Sequence, residues 1–76
     1  MSNLRTIATV RKNNCEEIRI SVVAGDGFTL VDLRVFAAPK HSRGEPYPTK
    51  DGIRLAKATL PALIRALQAA EREVSQ

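Results

Sequence analysis

Three consecutive stretches decide the fold: Glu17-Ile18-Arg19-Ile20-Ser21-Val22, then Gly25-Asp26-Gly27, then Phe28-Thr29-Leu30-Val31-Asp32-Leu33-Arg34-Val35-Phe36. The first alternates polar and aliphatic residues with period two, the signature of a half-buried strand. Asp26-Gly27 is a strong signal for a two-residue hairpin, because the favoured turn needs positive φ at its centre. The third stretch is rich in β-formers and alternates over its second half. With Asp26 and Gly27 in the turn, Gly25 faces Phe28 and the register follows by counting outward. Val22 opposes Val31, Ile20 opposes Leu33, and Ile18 opposes Val35, so six aliphatic residues form one dry face. The wet face carries Ser21 opposite Asp32, Arg19 opposite Arg34, and Glu17 opposite Phe36. Turn chemistry and both hydrophobic patterns agree on this register.

Working outward, residues 4 to 12 read as a preceding strand, turned by Asn13-Asn14. A three-residue loop puts Val10 and Ala8 on the dry face and Arg11 on the wet one. Residues 38 to 52 read as a loop containing Pro39, Gly44, Pro46, Pro48 and Gly52, followed by a short strand, Ile53-Arg54-Leu55. From Thr59 the pattern turns helical. Thr59 can cap, and Pro61 is tolerated in the first turn, where its missing N–H has no partner to lose. Leu60, Leu63, Ile64, Leu67, Ala70 and Val74 recur at three- and four-residue steps as one apolar stripe, with Glu71 at its edge. The expected fold is α+β: an antiparallel four-stranded sheet, one face covered by a C-terminal helix, as one domain over residues 1–76.

Composition bounds the rest. Of 76 residues, 43% are hydrophobic and 26% charged, ordinary for a soluble globular protein. A chain this short buries only about 60% of its unfolded surface and often needs a staple or a partner. One cysteine, Cys15, excludes an intrachain disulfide, and one histidine with one cysteine excludes a conventional zinc site. Oligomerisation is then the expected source of extra burial, against the plainer reading of a monomer whose helix packs on its own sheet. No apolar run approaches the ~18 residues of a membrane span, and no apolar stretch follows the first residues as in a signal peptide. A lone thiol suits a reducing compartment. The expectation is a cytoplasmic protein, nucleoid-associated if it binds DNA.

Catalysis has little to stand on. His41 lies between Lys40 and Ser42 with no nucleophile or carboxylate marked by spacing, and the glycines form no phosphate loop. No enzyme activity, cofactor, metal or small-molecule substrate is expected. The wet face is more informative. Twelve Lys and Arg against eight Asp and Glu leave a net charge of +4. Arg19 directly opposite Arg34 sets like charges side by side, which costs stability unless neighbours or an anion neutralise them. Glu17 and Asp32 are placed to do so; the alternative is a phosphate site. Phe28 and Phe36 share this face by parity, where they can stack bases or pack under the 38–52 loop. Arg11, Lys12 and Arg54 can extend the positive surface, while Lys40, Arg43 and Lys50 sit in the loop. The helix exposes Arg65, Gln68, Arg72 and Glu73, a mixed surface that argues against major-groove reading.

These residues resemble the C-terminal domain of the transcriptional coactivator family positive cofactor four, especially its short bacterial members. Leu30-Val31-Asp32-Leu33-Arg34-Val35-Phe36 is similar to the family's strand of aliphatic-aliphatic-Asp-aliphatic-Arg-x-aromatic. Pro48-Thr49-Lys50-Asp51-Gly52-Ile53-Arg54-Leu55 is similar to its Pro-x-basic-basic-Gly-aliphatic-x-Leu. The resemblance runs from about Thr6 to Val74. It implies curved sheets whose exposed faces bind single-stranded DNA, or RNA, with little sequence preference, in transcription or the handling of melted DNA. It also implies a homodimer built around the C-terminal helices, here through Leu60, Leu63, Ile64, Leu67, Ala70 and Val74. By position, Arg34 matches the family's strand arginine and Lys50 its first basic residue. The resulting nucleic-acid site is Arg11, Arg19, Arg34, Lys50 and Arg54 on phosphates, with Phe28 and Phe36 stacking. Three positions depart: Ala37 stands where well-known eukaryotic members have Trp, Asp51 stands where the family has a second basic residue, and the family's turn aromatic falls at about Gly25, which is not aromatic here. The competing reading, from another class, is a protein-interaction module whose basic face docks an acidic partner.

Overall fold

The computed structural model describes residues 3–39 and 44–76. Four antiparallel strands, β1 (Asn3–Arg11), β2 (Glu16–Gly25), β3 (Phe28–Ala37) and β4 (Tyr47–Ala56), lie in sequence order in one open, curved sheet. A single 3₁₀ turn, Lys57–Thr59, leads into α1 (Leu60–Val74). The central hairpin has the register expected from its turn: Val22 faces Val31, Arg19 faces Arg34, and Glu17 faces Phe36. Gly27 supplies the positive φ (80°) that the turn requires.

The outer strands join with bulges. On β1, Val10 faces Ile18 and Ala8 faces Ile20, as the three-residue loop required, and Arg11 falls on the wet face opposite Glu17. The register then shifts between Thr6 and Ala8, leaving Ile7 as an extra residue. One extra residue reverses which face each side chain takes. Leu4 and Thr6 therefore join Val23 and Ser21 on the wet face, while Arg5 turns to the dry one.

β4 is longer than the sequence suggested. It begins at Tyr47 and includes Pro48, so much of the segment read as loop is strand. Proline is admitted because β4 is an edge strand, where a missing N–H breaks no ladder on the open side. Between Gly52, opposite Arg34, and Pro48, opposite Phe36, residues 49–51 bulge out against Val35. The Thr49 hydroxyl donates to the Val35 carbonyl at 2.8 Å and accepts from the Asp51 amide at 3.2 Å, which fixes the bulge. Two extra residues preserve parity, so Pro48 and Gly52 both stand on the wet face.

The helix does not cover its own sheet, contrary to the expected packing. α1 meets the rest of the chain mainly through the 3₁₀ turn, which itself touches β3. Thr59 makes no side-chain cap; it lies in helical conformation at the end of that turn, with Pro61 following in the first helical turn. Leu60 and Leu63 are half-buried, but Ile64, Leu67 (56% exposed), Ala70 and Val74 (82%) face solvent. On the dry face Val10 and Ile53 are also about half exposed. Among the described residues only Val23 and Val31 are buried aliphatics. The molecule measures 44 × 39 × 18 Å with a radius of gyration of 14.5 Å. A compact chain of this length would be nearer ~11 Å. One chain thus leaves two complementary apolar surfaces open: a sheet face and a helix stripe.

Candidate nucleic-acid interface

The wet face divides along the strands. At the β2–β3 turn it is apolar, with Val23 opposite Leu30 and Leu4 beside them. Val23 is buried there, a feature that alternation alone did not show. Phe28 is 44% exposed. Its ring lies over Gly25, where any side chain on Gly25 would collide with it. The ring from β3 thus fills the space that a residue at position 25 would occupy on β2, where the sequence has no aromatic.

Toward the other end the face is charged. Arg19 and Arg34 are neighbours across the hairpin, and each pairs with the carboxylate two residues before it on its own strand. Arg19 Nε donates to Glu17, and the Arg19 guanidinium lies 4.2 Å from the Phe36 ring centroid. Arg34 Nη2 donates to Asp32 Oδ1 at 2.8 Å and its Nη1 to the Lys50 carbonyl at 3.1 Å. Arg34 therefore clamps the β4 bulge to β3 as well as carrying charge. Asp32 raises the Arg34 pKa above its ordinary value by hydrogen bonding to the charged form. The like-charge cost is met by Glu17 and Asp32, so no bound anion is needed to explain the pair.

Asp32 is only 5% exposed and is the hub of this region, with Arg54 Nε 3.6 Å from the same Oδ1. The sequence allows Asp32 an arginine partner but does not place Arg54 directly opposite, because β4's register depends on the bulge. Beside Asp32 lies Ser21, 4% exposed, whose hydroxyl is 3.3 Å from that of Thr6. Gly52 permits the close approach: a Cβ there would strike the Leu33 carbonyl and come within 3.0 Å of Arg34 Cα. The motif glycine was legible in sequence, but its reason was not. Thr49, which holds the bulge, was missed; a threonine after Pro48 gives little signal by itself.

The sequence-predicted cations thus fall in two groups. Arg19, Arg34 and Arg54 share the central charged patch and have carboxylate partners. Arg11 and Lys50 are exposed, at the end of β1 and on the β4 bulge, with no ion pair among the described residues. Phe28 and Phe36 lie near opposite ends of β3, roughly 26 Å apart at 3.3 Å per residue. Lys40, His41, Ser42 and Arg43 fall outside the described residues. The described residues contain no cluster of three or more His, Cys, Asp or Glu able to hold a metal. No helix among them is long and apolar enough to cross a membrane.

An open four-stranded sheet with a charged face, followed by one helix that leaves that face bare, defines a small ββββα protein of the positive cofactor four (PC4) type. Among solved structures the chain is similar to BPSL1147, a PC4 homolog from Burkholderia pseudomallei K96243, in two crystal forms. The tetragonal form matches with a TM-score of 0.78 and 32% identity, covering 91% of this chain and 98% of that one. The orthorhombic form gives 0.79 and 35%, covering 91% and 90%. The chain belongs to the PC4 family. No family model and no curated protein matches it.

Proposed function

We propose that this chain is a sequence-independent binding module for single-stranded DNA, or RNA, acting as a homodimer in transcription or in handling melted DNA. The observation that carries the reading is the composition of one sheet face in a PC4-family fold. Four cations (Arg11, Arg19, Arg34 and Arg54) and both phenylalanines stand there with no helix over them, and Lys50 lies on the adjoining β4 bulge. Cations tracking a backbone beside aromatics that take bases are the common means of binding single strands without reading sequence. Arg19, Arg34 and Arg54 are already paired, so Arg11 and Lys50 supply most of the counterion release on binding. The dimer reading rests on the two uncovered apolar surfaces: each helix stripe can cover the other protomer's dry face. The protein works by binding, with no catalytic step and no cofactor.

The test is a paired substitution. Arg11→Gln and Lys50→Gln should each weaken oligo-dT binding several-fold without moving the melting temperature, since neither side chain has an ion-pair partner among the described residues. Each should also make the salt dependence shallower, by about 0.7 in the slope of log affinity against log salt. Unchanged affinity and slope in both variants would overturn the phosphate role. A pull-down that recovers an acidic protein but no nucleic acid would favour the interaction-module reading instead.

A further inference from the structure

A cavity of about 390 Å³ opens at the end of the charged face, between the β1–β2 turn and the chain flanking β4. Its walls include Thr9, Arg11, Cys15, Phe36, Ala38 and Pro46. The walls are held before any ligand arrives. The Lys12 and Asn13 amides donate to the Glu16 carbonyl, and the Ala38 amide donates to the Cys15 carbonyl at 2.9 Å, tying the turn to the end of β3. The acidic residues of the wall are engaged: Glu16 accepts from Lys12 at 2.9 Å and Asn13 at 2.8 Å, and Glu17 from Arg19. Asn13 is used at both ends, its Oδ1 accepting from the Cys15 amide. That leaves Arg11 as the cation of the wall without an ion pair among the described residues. Phe36 is stiffened from one side by the Arg19 guanidinium.

A preformed, half-open space with one unspent guanidinium, a ring, a proline and a hydroxyl suits a ligand that is flat and apolar at one end and anionic at the other. We infer that the cavity takes one nucleotide of a bound single strand, turned out of the track, with its base against Phe36 and Pro46 and its phosphate on Arg11. This rests on the single-strand reading above and adds to it a fixed stop at one end of the face.

Cys15, an exposed residue of the wall, reports occupancy because it is the only thiol in the chain. Its alkylation by N-ethylmaleimide is timed with and without an oligo-dT just long enough to saturate the protein, saturation being set by anisotropy. Occupancy of the cavity should slow alkylation about tenfold, the scale of one stacked base. Single abasic residues walked along the oligonucleotide should restore the fast rate at one position. Arg11→Gln should lose the protection at saturating oligo-dT, whereas Lys50→Gln should keep it. If oligo-dT binds while Cys15 reacts at its free rate, or no abasic position restores reactivity, the cavity inference is overturned and the track stands. If oligo-dT does not bind at all, both readings fall.

Discussion

Arg34 and Arg11 are both cations on one face, and their surroundings give them different work. Arg34 holds buried Asp32 and two β4 carbonyls, so Arg34→Ala should cost stability as well as affinity. Leaving a buried carboxylate short of a partner costs about 1–3 kcal/mol. Arg54, at 3.6 Å, replaces only part of that contact. A denaturant titration of Arg34→Ala at wild-type stability would show that the clamp is idle. At the turn, hydrogen bonds from Lys12 and Asn13 hold the Glu16 carboxyl below its ordinary pKa of 4.5. A lowered folded pKa means that the turn's support is complete above the ordinary carboxylate range and fades as pH falls through the folded value. An NMR titration of the Glu16 side chain should give a midpoint below 4.5, and one at or above it would remove the network. Arg19, Arg34 and their carboxylates were legible from register counting. The choice between neutralisation by neighbours and by an anion was not, since i,i+2 pairing on one strand depends on side-chain direction rather than spacing.

Among the elements, the hairpin was the most legible because three independent signals meet in it: alternation on each side and Asp26-Gly27 between. β4 was half-hidden because Pro48 and Gly52 are loop signals everywhere except on a bulged edge strand, where each has a use. The β1 bulge was invisible, since no glycine or proline marks Ile7, and with it went the apolar character of the wet face near Leu4 and Val23. The bulge on β4 depends on Thr49. Thr49→Val removes a bond to the Val35 carbonyl and an acceptor for the Asp51 amide. It should destabilise the strand by about 1 kcal/mol and speed amide exchange in residues 47–52 before the central hairpin. Uniform exchange across all four strands would show that the bulge is not a local element. The helix stripe was read correctly as a stripe. Periodicity says which face of a helix is apolar but not what covers it, which is why the sequence left open the plainer reading, a helix packed on its own sheet, that the structure does not show.

At the scale of the whole molecule, a flattened chain with a half-exposed dry face and an exposed Leu67 has not finished burying its apolar surface. A second copy can complete it. Sedimentation at micromolar concentration should give a dimer, and Leu67→Glu should shift it toward monomer by placing a charge where about 1.5–3 kcal/mol of burial was available. A wild-type monomer would refute the pairing of helix stripe and dry face. A dimer joined through those surfaces would leave both charged faces open for a nucleic acid. The most direct test is fluorescence anisotropy of labelled oligo-dT beside a duplex of equal length, at about 50 and 200 mM salt. Binding should be tighter to the single strand at both concentrations, with a steep loss of affinity at the higher one. Equal or tighter binding to duplex, or an affinity indifferent to salt, would contradict the single-strand reading.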